Sequence, residues 1–267
     1  MTDMVRGHIW RRFTAAQRLT RFAVYLVIVA AVVASIQTVE VIPEFLADAP
    51  EQVGDLLARM WPVDVAYYPK GVHAALMETI HIASLGTLLA LLLALPVGVL
   101  AAHNLCPFVP FNLLAKSILV SSRSVNSLVW ALLFIGIFGP GALAGTLAIA
   151  FRSIGFVGKL FGEALEETSN GPIEALAAAG APWSSRLAFG YWPQVKPAFW
   201  SIALFRWDIN VRESAVLGLV GAGGIGMTLD SALNLFQWNR VAVILLAIFA
   251  VVILAEIAVT FVRKRII

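Results

Sequence analysis

Apolar residues in this chain fall into six long stretches separated by polar segments. The stretches cover residues 20–39, 76–102, 112–138, 141–162, 195–219 and 240–262. A helix that crosses a bilayer needs roughly 20 such residues, so each stretch is a candidate span. Polar residues from Ser121 to Ser127 interrupt the third stretch, and Gly139-Pro140-Gly141 predicts a tight turn before the fourth. The pattern predicts an all-α membrane protein with six transmembrane helices.

Composition supports this class and removes others. Hydrophobic residues make up 60% of the 267 positions and charged residues 13%, about half the usual charged share of a soluble domain. The single Cys106 excludes an internal disulfide and offers no metal-site spacing. A net charge of +3 is too small to indicate nucleic-acid binding. The distribution of the charges is more informative than their sum.

Basic residues mark the side of the membrane on which each segment lies, because cytoplasmic loops are enriched in Lys and Arg. Arginines crowd the segment 1–19 before the first span, and Arg263, Lys264 and Arg265 begin the tail 263–267. The segment after the first span is acidic and contains a short amphipathic pattern that ends at Met60. We therefore expect a multi-pass plasma-membrane protein with both termini in the cytoplasm. Residues 20–69 form the first span and an outer segment, and residues 70–262 form a five-span core.

The loop between the fourth and fifth spans carries the most specific motif. Residues 173–179 are rich in Ala, follow Gly171-Pro172 and end at Gly180, which predicts a short cytoplasmic helix with an exposed face. An ordinary surface helix would also fit this pattern. The segment resembles the EAA loop of binding-protein-dependent ABC importers. The matching residues are Glu174, Ala175, Gly180 and Pro193, whereas Leu176, Gly190 and Trp192 depart from the motif.

A wider resemblance, over most of residues 70–262, is to phosphonate permeases. It rests on Leu95-Pro96-Val97-Gly98, the run Gly155–Phe161, Trp192-Pro193-Gln194-Val195 and the run Phe205–Gly226. The family usually has Pro in the stretch where this chain has Asn126. The resemblance implies a type I ABC importer permease, with 163–194 as a coupling loop, that carries phosphonate or a related phosphorus oxyanion. It also implies these partners: a second copy of the permease, two ATP-binding subunits that hold ATP and Mg²⁺, and an extracytoplasmic binding protein. The chain itself would be neither an enzyme nor a cofactor-binding protein.

Charged residues in the fifth span point to a translocation path. Arg206, Asp208, Arg212 and Glu213 stand in an otherwise apolar helix. Each would cost roughly 2.5–3.5 kcal/mol at the bilayer centre, so they cannot simply face lipid. The sequence allows two interpretations. The four residues form ion pairs with one another, or they line a water-filled path where an arginine meets an oxyanion. Arg123, Ser124 and Asn126 form a second polar interruption that is a further path candidate, although Arg123 is also typical of a positive-inside anchor.

Other motifs favour no chemistry. Gly221-Ala-Gly223-Gly-Ile-Gly226 satisfies GxGxxG, but Met227 stands where a phosphate-binding loop has Lys, and spans flank it on both sides. The pattern instead predicts a glycine-rich bend between closely packed backbones. His73, Glu78 and His81 lack the spacing of a zinc motif. An importer of another small solute and a proton-coupled secondary transporter remain alternatives, although the latter leaves the EAA-like loop without a role.

Overall fold

The computed structural model describes residues 13–39 and 42–266 and is all-helical over that part of the chain. The arginines that precede residue 13, on which part of the topology prediction rests, lie outside the described residues, as does Ile267. The chain divides into two compact units, Met1–Leu56 and Leu57–Ile267.

The first unit contains α1 (Ala15–Thr38) and the start of α2 (Pro43–Met60). A reciprocal capping box begins α1: the Gln17 N–H donates to Thr14 Oγ1 at 3.4 Å, and the Thr14 N–H donates to Gln17 Oε1 at 3.1 Å. α1 is long and apolar enough to cross a membrane. α2 is the amphipathic helix expected in the acidic segment after the first span.

The second unit contains the remaining helices. They are α3 (His73–Ala101), α4 (Val109–Ser124), α5 (Ser127–Phe138), α6 (Ala142–Glu166), α7 (Asn170–Ala178), α8 (Trp183–Ser185), α9 (Trp192–Leu217), α10 (Ile225–Asn234) and α11 (Trp238–Ile266). Single π-helical turns precede α3 at Tyr68–Val72 and α9 at Arg186–Tyr191.

One of the six apolar stretches is bent within its length, and the fifth ends at a second bend. α4 and α5 meet at 93°, at the polar interruption seen in the sequence, where Val125 is extended and Asn126 caps α5. The segment Trp183–Val220 and α10 meet at 41°, across the glycine-rich bend. Among the described residues, four helices are individually long and apolar enough to span, and six crossings result when each bent pair counts as one. The predicted all-α, multi-span fold class is confirmed with this refinement.

α3 and α6 form the central pair of the second unit, and small residues let their backbones meet. A Cβ on Gly98 would lie 3.0 Å from the carbonyl oxygen of Gly158, and one on Gly86 would lie 3.0 Å from that of Thr146. Without side chains at these points the helices approach as closely as membrane helices do at small-residue interfaces. α4 and α5 pack against α6, α9 packs against both central helices, and α11 packs along α9.

Candidate functional site

The EAA-like segment forms α7 and a turn that ends it. α7 begins at Asn170, three residues before the predicted start, because Pro172 falls in the first turn, where its missing N–H has no helical partner to lose. At the other end the Ala181 N–H donates to Leu176 O and the Gly180 N–H to Ala177 O, both at 3.0 Å. These two bonds make a Schellman motif, and its left-handed residue is Gly180, with φ of +76°.

α7 divides into a packed face and a free face. Ile173 is buried in a cluster with Phe161, Leu165, Tyr191 and other apolar residues of the helix ends around it. Glu174 and Ala175 are exposed in the described structure, as is Pro193 at the second position of α9. The predicted motif residues therefore form an exposed surface next to the buried side chain of Ile173, which holds α7 against the bundle.

Gly190, which departs from the EAA motif, lies where α7 packs against the π-helical turn. A Cβ there would lie 3.3 Å from side-chain carbons of both Ile173 and Leu176. That is closer than ordinary van der Waals contact, so a larger residue would move α7 away from the turn. Glycine at position 190 therefore leaves room for the large side chains of Ile173 and Leu176 on α7.

Gln194 ties the start of α7 to the start of α9, a role that sequence reasoning missed. Its Oε1 accepts the Ser169 N–H at 2.9 Å, and its Nε2 donates to Ser169 O at 3.3 Å and to Gly190 O at 2.7 Å. One side-chain amide therefore satisfies backbone groups at the N-cap of α7 and in the π-helical turn. The sequence offered only its place in the Trp-Pro-Gln-Val string, because hydrogen bonds across 25 residues have no local pattern.

A second site lies deep in the bundle, where two arginines share one carboxylate. Arg206 Nη2 is 3.4 Å from Glu213 Oε2, and Arg152 Nη1 is 3.2 Å from Glu213 Oε1. The Arg206 side chain is 4% exposed, that of Glu213 18% and that of Arg152 30%. Because one carboxylate faces two guanidinium groups, this trio carries one positive charge in excess.

Neutral polar side chains extend the trio through four more hydrogen bonds. Arg206 Nε donates to Ser153 Oγ at 2.8 Å, and Ser153 Oγ donates to Asn210 Oδ1 at 3.2 Å. Asn210 Nδ2 donates in turn to Thr87 Oγ1 at 2.7 Å. At the other end, Arg152 Nη1 donates to Ser127 Oγ at 3.1 Å. The network therefore joins α3, α5, α6 and α9 through buried polar groups that must be satisfied within the bundle.

Asp208 and Arg212 form a separate ion pair on α9, as their four-residue spacing allows. The Asp208 side chain is 8% exposed, whereas that of Arg212 is 49% exposed. Asp208 Oδ1 is buried and has no hydrogen-bond partner within the described part of the chain. Of the two interpretations of the α9 charges, mutual ion pairing is therefore observed. The guanidinium of Arg212 nevertheless stays half exposed on this long helix.

Of the second polar interruption, Arg123, Ser124 and Asn126, only one residue contacts the arginine network. Asn126 caps α5, with its Oδ1 accepting the Leu128 N–H at 3.1 Å and the Ser127 hydroxyl at 3.2 Å. Ser124 Oγ donates to the Val120 carbonyl within its own helix. Arg123 is exposed and lines a different cavity, between α4 and α6. Only Asn126 touches the arginine network, through Ser127.

The GxGxxG segment is a tight backbone crossing. Gly221, Gly223 and Gly224 all have φ between +75° and +91°, a range that favours glycine. A Cβ on Gly223 would lie 2.8 Å from Ala142, and the Ile225 N–H is taken by Thr79 Oγ1 at 2.8 Å. The segment holds the start of α10 against α3 and α6.

Comparison with known proteins gives these sites a context. Residues 94–267 match the family described as "Binding-protein-dependent transport system inner membrane component". The chain is 38% identical over 213 residues to the phosphite transport system permease protein PtxC of Stutzerimonas stutzeri, covering 80% of this chain and 77% of that protein. It is 35% identical over 234 residues to the phosphate-import permease protein PhnE of Mycolicibacterium smegmatis, covering 88% of this chain and 44% of that protein.

A solved structure agrees on the fold. A chain of the MetNI methionine ABC transporter, in an inward-facing conformation, matches with a TM-score of 0.64 at 20% identity, covering 73% of this chain and 96% of that one. The resemblance to importer permeases drawn from the sequence motifs is confirmed. The chain belongs to the family of binding-protein-dependent transport system inner membrane components.

Proposed function

We propose that this chain is the translocation subunit of an ATP-driven importer that carries phosphonate, phosphite or phosphate across the plasma membrane. It works with a second permease copy, two ATP-binding subunits that bind ATP and Mg²⁺, and an extracytoplasmic binding protein. Both termini are cytoplasmic, in keeping with the basic residues at each end of the chain. The observation that carries the proposal is the exposed face of α7, which is anchored at one side and free at the other.

α7 is the contact with the ATP-binding subunit. Glu174 and Ala175 are exposed, while Ile173 beside them is buried in the bundle. Gln194 fixes the N-cap of α7 to α9 through three hydrogen bonds. A displacement of the free face is therefore transmitted by hydrogen bonds to α9, the helix that carries ion pairs of the bundle, rather than through a flexible loop.

The arginines of α6 and α9 line the path for the cargo. Arg152 and Arg212 are 30% and 49% exposed in this chain, and a charged side chain at spanning depth is costly against lipid. The face that carries them must therefore meet water or a second permease copy. Guanidinium groups bind phosphorus oxyanions in a bidentate way, and the trio has one positive charge in excess. Weak, shared contacts of this kind let an anion enter and leave.

The cargo class is supported by the relatives, which are named as phosphite and phosphate permeases. Both anions share with phosphonate a tetrahedral phosphorus, at least three oxygens and a negative charge, so the arginine trio does not by itself separate the three. An importer for a different small anion would fit the same bundle. Competition among the three anions decides the point.

The test is uptake into proteoliposomes that contain the permease with its ATP-binding subunit and binding protein. We expect ATP-dependent uptake of one labelled phosphorus oxyanion, and we expect the same anion in unlabelled form to inhibit that uptake most strongly. Glu174→Arg should abolish uptake without reducing the amount of folded permease, because it reverses a charge on the docking face. Glu167→Arg is the matched control: Glu167 is an exposed acid that follows α6, outside α7.

Two results would contradict the proposal. Normal uptake by the Glu174→Arg protein would remove α7 from the coupling mechanism. Uptake that ignored ATP and followed a proton gradient would favour the secondary-transporter alternative instead.

A further inference from the structure

A charged cavity lies between α4 and α6, at the end of the bundle that carries α7. Its volume is about 320 Å³. On α6 it extends from Lys159 to Glu166, about 10 Å along the helix axis at 1.5 Å per residue. Its lining residues are Ala101, Lys116, Leu119, Val120, Arg123, Lys159, Gly162, Glu163 and Glu166, and we refer to it as the basic cavity.

Two cations in the basic cavity have no ionic partner. Lys116 and Arg123 are seven residues apart on α4, which puts them on one face of the helix, two turns apart. Neither forms an ion pair with any residue that the structure describes. Both are exposed, so their stems are free to turn toward the cavity.

The other charged groups of the cavity have closer partners. Lys159 Nζ is 3.2 Å from Glu163 Oε1, and Glu166 Oε1 is 3.0 Å from His103 Nδ1. The backbone N–H of His103 donates to the same Glu166 oxygen at 2.9 Å, and Glu166 also interacts with the positive charge of Lys116. With Lys116, Arg123 and Lys159 against Glu163 and Glu166, the lining residues carry one positive charge in excess.

Part of the wall of the basic cavity is apolar. Leu119 is buried, Val120 is exposed along the same helix, and Ala101 closes the cavity from the end of α3. An apolar wall beside unpaired cations suits an amphiphile whose charged group is anionic, since basic cavities between spanning helices hold phospholipid headgroups. Lys and Arg that merely anchor a helix extend into water and need no cavity around them.

We propose that the basic cavity binds a phosphate group through Lys116 and Arg123. Arg123 supplies a planar fork for two phosphate oxygens, and Lys116 supplies a point charge two turns away. The group is presented by an anionic phospholipid of the adjoining leaflet or by free inorganic phosphate. The site is separate from the arginine trio, because Arg152, Arg206 and Glu213 are not among the residues that line the cavity. The proposal does not depend on ATP coupling or on which anion is transported.

The test uses the full-length chain purified in an uncharged detergent. One arm titrates phosphatidylglycerol, with phosphatidylcholine as the headgroup control, and counts bound lipids by native mass spectrometry. The other arm titrates inorganic phosphate by calorimetry. The Lys116→Gln/Arg123→Gln protein should bind the phosphate group at least about tenfold more weakly, because each cation contributes a charge-assisted hydrogen bond.

Two further variants separate a site from general charge. Arg263→Gln/Arg265→Gln removes two cations from the end of α11, outside the cavity, and should leave binding unchanged. Lys116→Arg/Arg123→Lys keeps both charges but moves the guanidinium fork, so it should weaken binding less than the double glutamine variant does. Saturable binding in the lipid arm alone identifies the source as phospholipid, and saturable binding in the phosphate arm alone identifies it as the free anion. Absence of saturable binding in both arms, or equal weakening by the α11 variant, would overturn the proposal.

Discussion

Glu213 should be among the most costly residues to neutralise in this bundle. Its carboxylate faces Arg206 at 3.4 Å and Arg152 at 3.2 Å, and the Arg206 side chain is only 4% exposed. In a Glu213→Gln protein, Arg206 keeps Ser153 Oγ as an acceptor but loses the charge that compensates it. Breaking a buried pair in this way costs about 3–5 kcal/mol. We therefore expect a loss of that order in the free energy of unfolding.

The matched control is Glu163→Gln, which removes the same charge from an exposed pair. Lys159 and Glu163 are four residues apart on α6, with side chains 44% and 48% exposed. Such pairs contribute about 0.3–0.5 kcal/mol, so the two variants should differ severalfold or more. The assay is reversible unfolding of the purified chain in mixed detergent micelles, followed by tryptophan fluorescence.

A double substitution distinguishes a buried charge from a simple loss of packing. Glu213→Leu alone should be strongly destabilising, whereas Glu213→Leu combined with Arg206→Met should recover part of the loss, because the buried Arg206 charge is then absent and only Arg152, whose side chain is 30% exposed, lacks its partner. Equal destabilisation by Glu213→Gln and Glu163→Gln, together with no recovery in the double variant, would refute the reasoning.

Three further predictions concern the loop and the glycines. Gln194→Leu keeps the side-chain size but removes three hydrogen bonds of about 1 kcal/mol each, so uptake per ATP hydrolysed should fall while the permease still folds. Gly180→Ala should cost about 1 kcal/mol or more, because φ there is +76°, and should lower uptake at elevated temperature first. Gly226→Ala should lower the unfolding midpoint, since its Cβ would lie 2.7 Å from Gly218 Cα, whereas Gly136→Ala, with open space around it, should not.

Sequence patterns predicted the spans and the loop because both depend on local chemistry. Long apolar stretches have few alternatives to spanning helices, and the Ala-rich segment between Pro172 and Gly180 carries its own start and stop signals. The predicted start is three residues late because Gly171-Pro172 indicates a boundary in the sequence, although the first turn of a helix tolerates Pro. The bend at Asn126 was visible as a polar interruption, but its angle was not.

Partner choice could not be read from the chain. The spacing of Arg206 and Glu213 put them on neighbouring turns, but the sharing of Glu213 with Arg152 depends on how α6 lies beside α9. The tie made by Gln194 likewise spans 25 residues. The sequence pattern does not predict α10, because this helix of ten residues is short and follows directly on the glycine-rich bend. Long-range polar contacts have no period, so hydrophobic patterning does not reveal them.

The glycine seam between α3 and α6 determines which parts of this permease can move. Gly86 and Gly98 are twelve residues apart, about 18 Å along the helix, and at each of them the α3 backbone lies directly against α6. The side chains of Ile149 and Phe161 and the carbonyl oxygens of Thr146 and Gly158 fill the space beside the two glycines, so rolling one helix past the other would force these groups into the α3 backbone. The boundary of α9 with this pair is different, because serine, asparagine and arginine side chains form it and can exchange partners. We expect α3 and α6 to stay fixed as a frame while α9 shears along it.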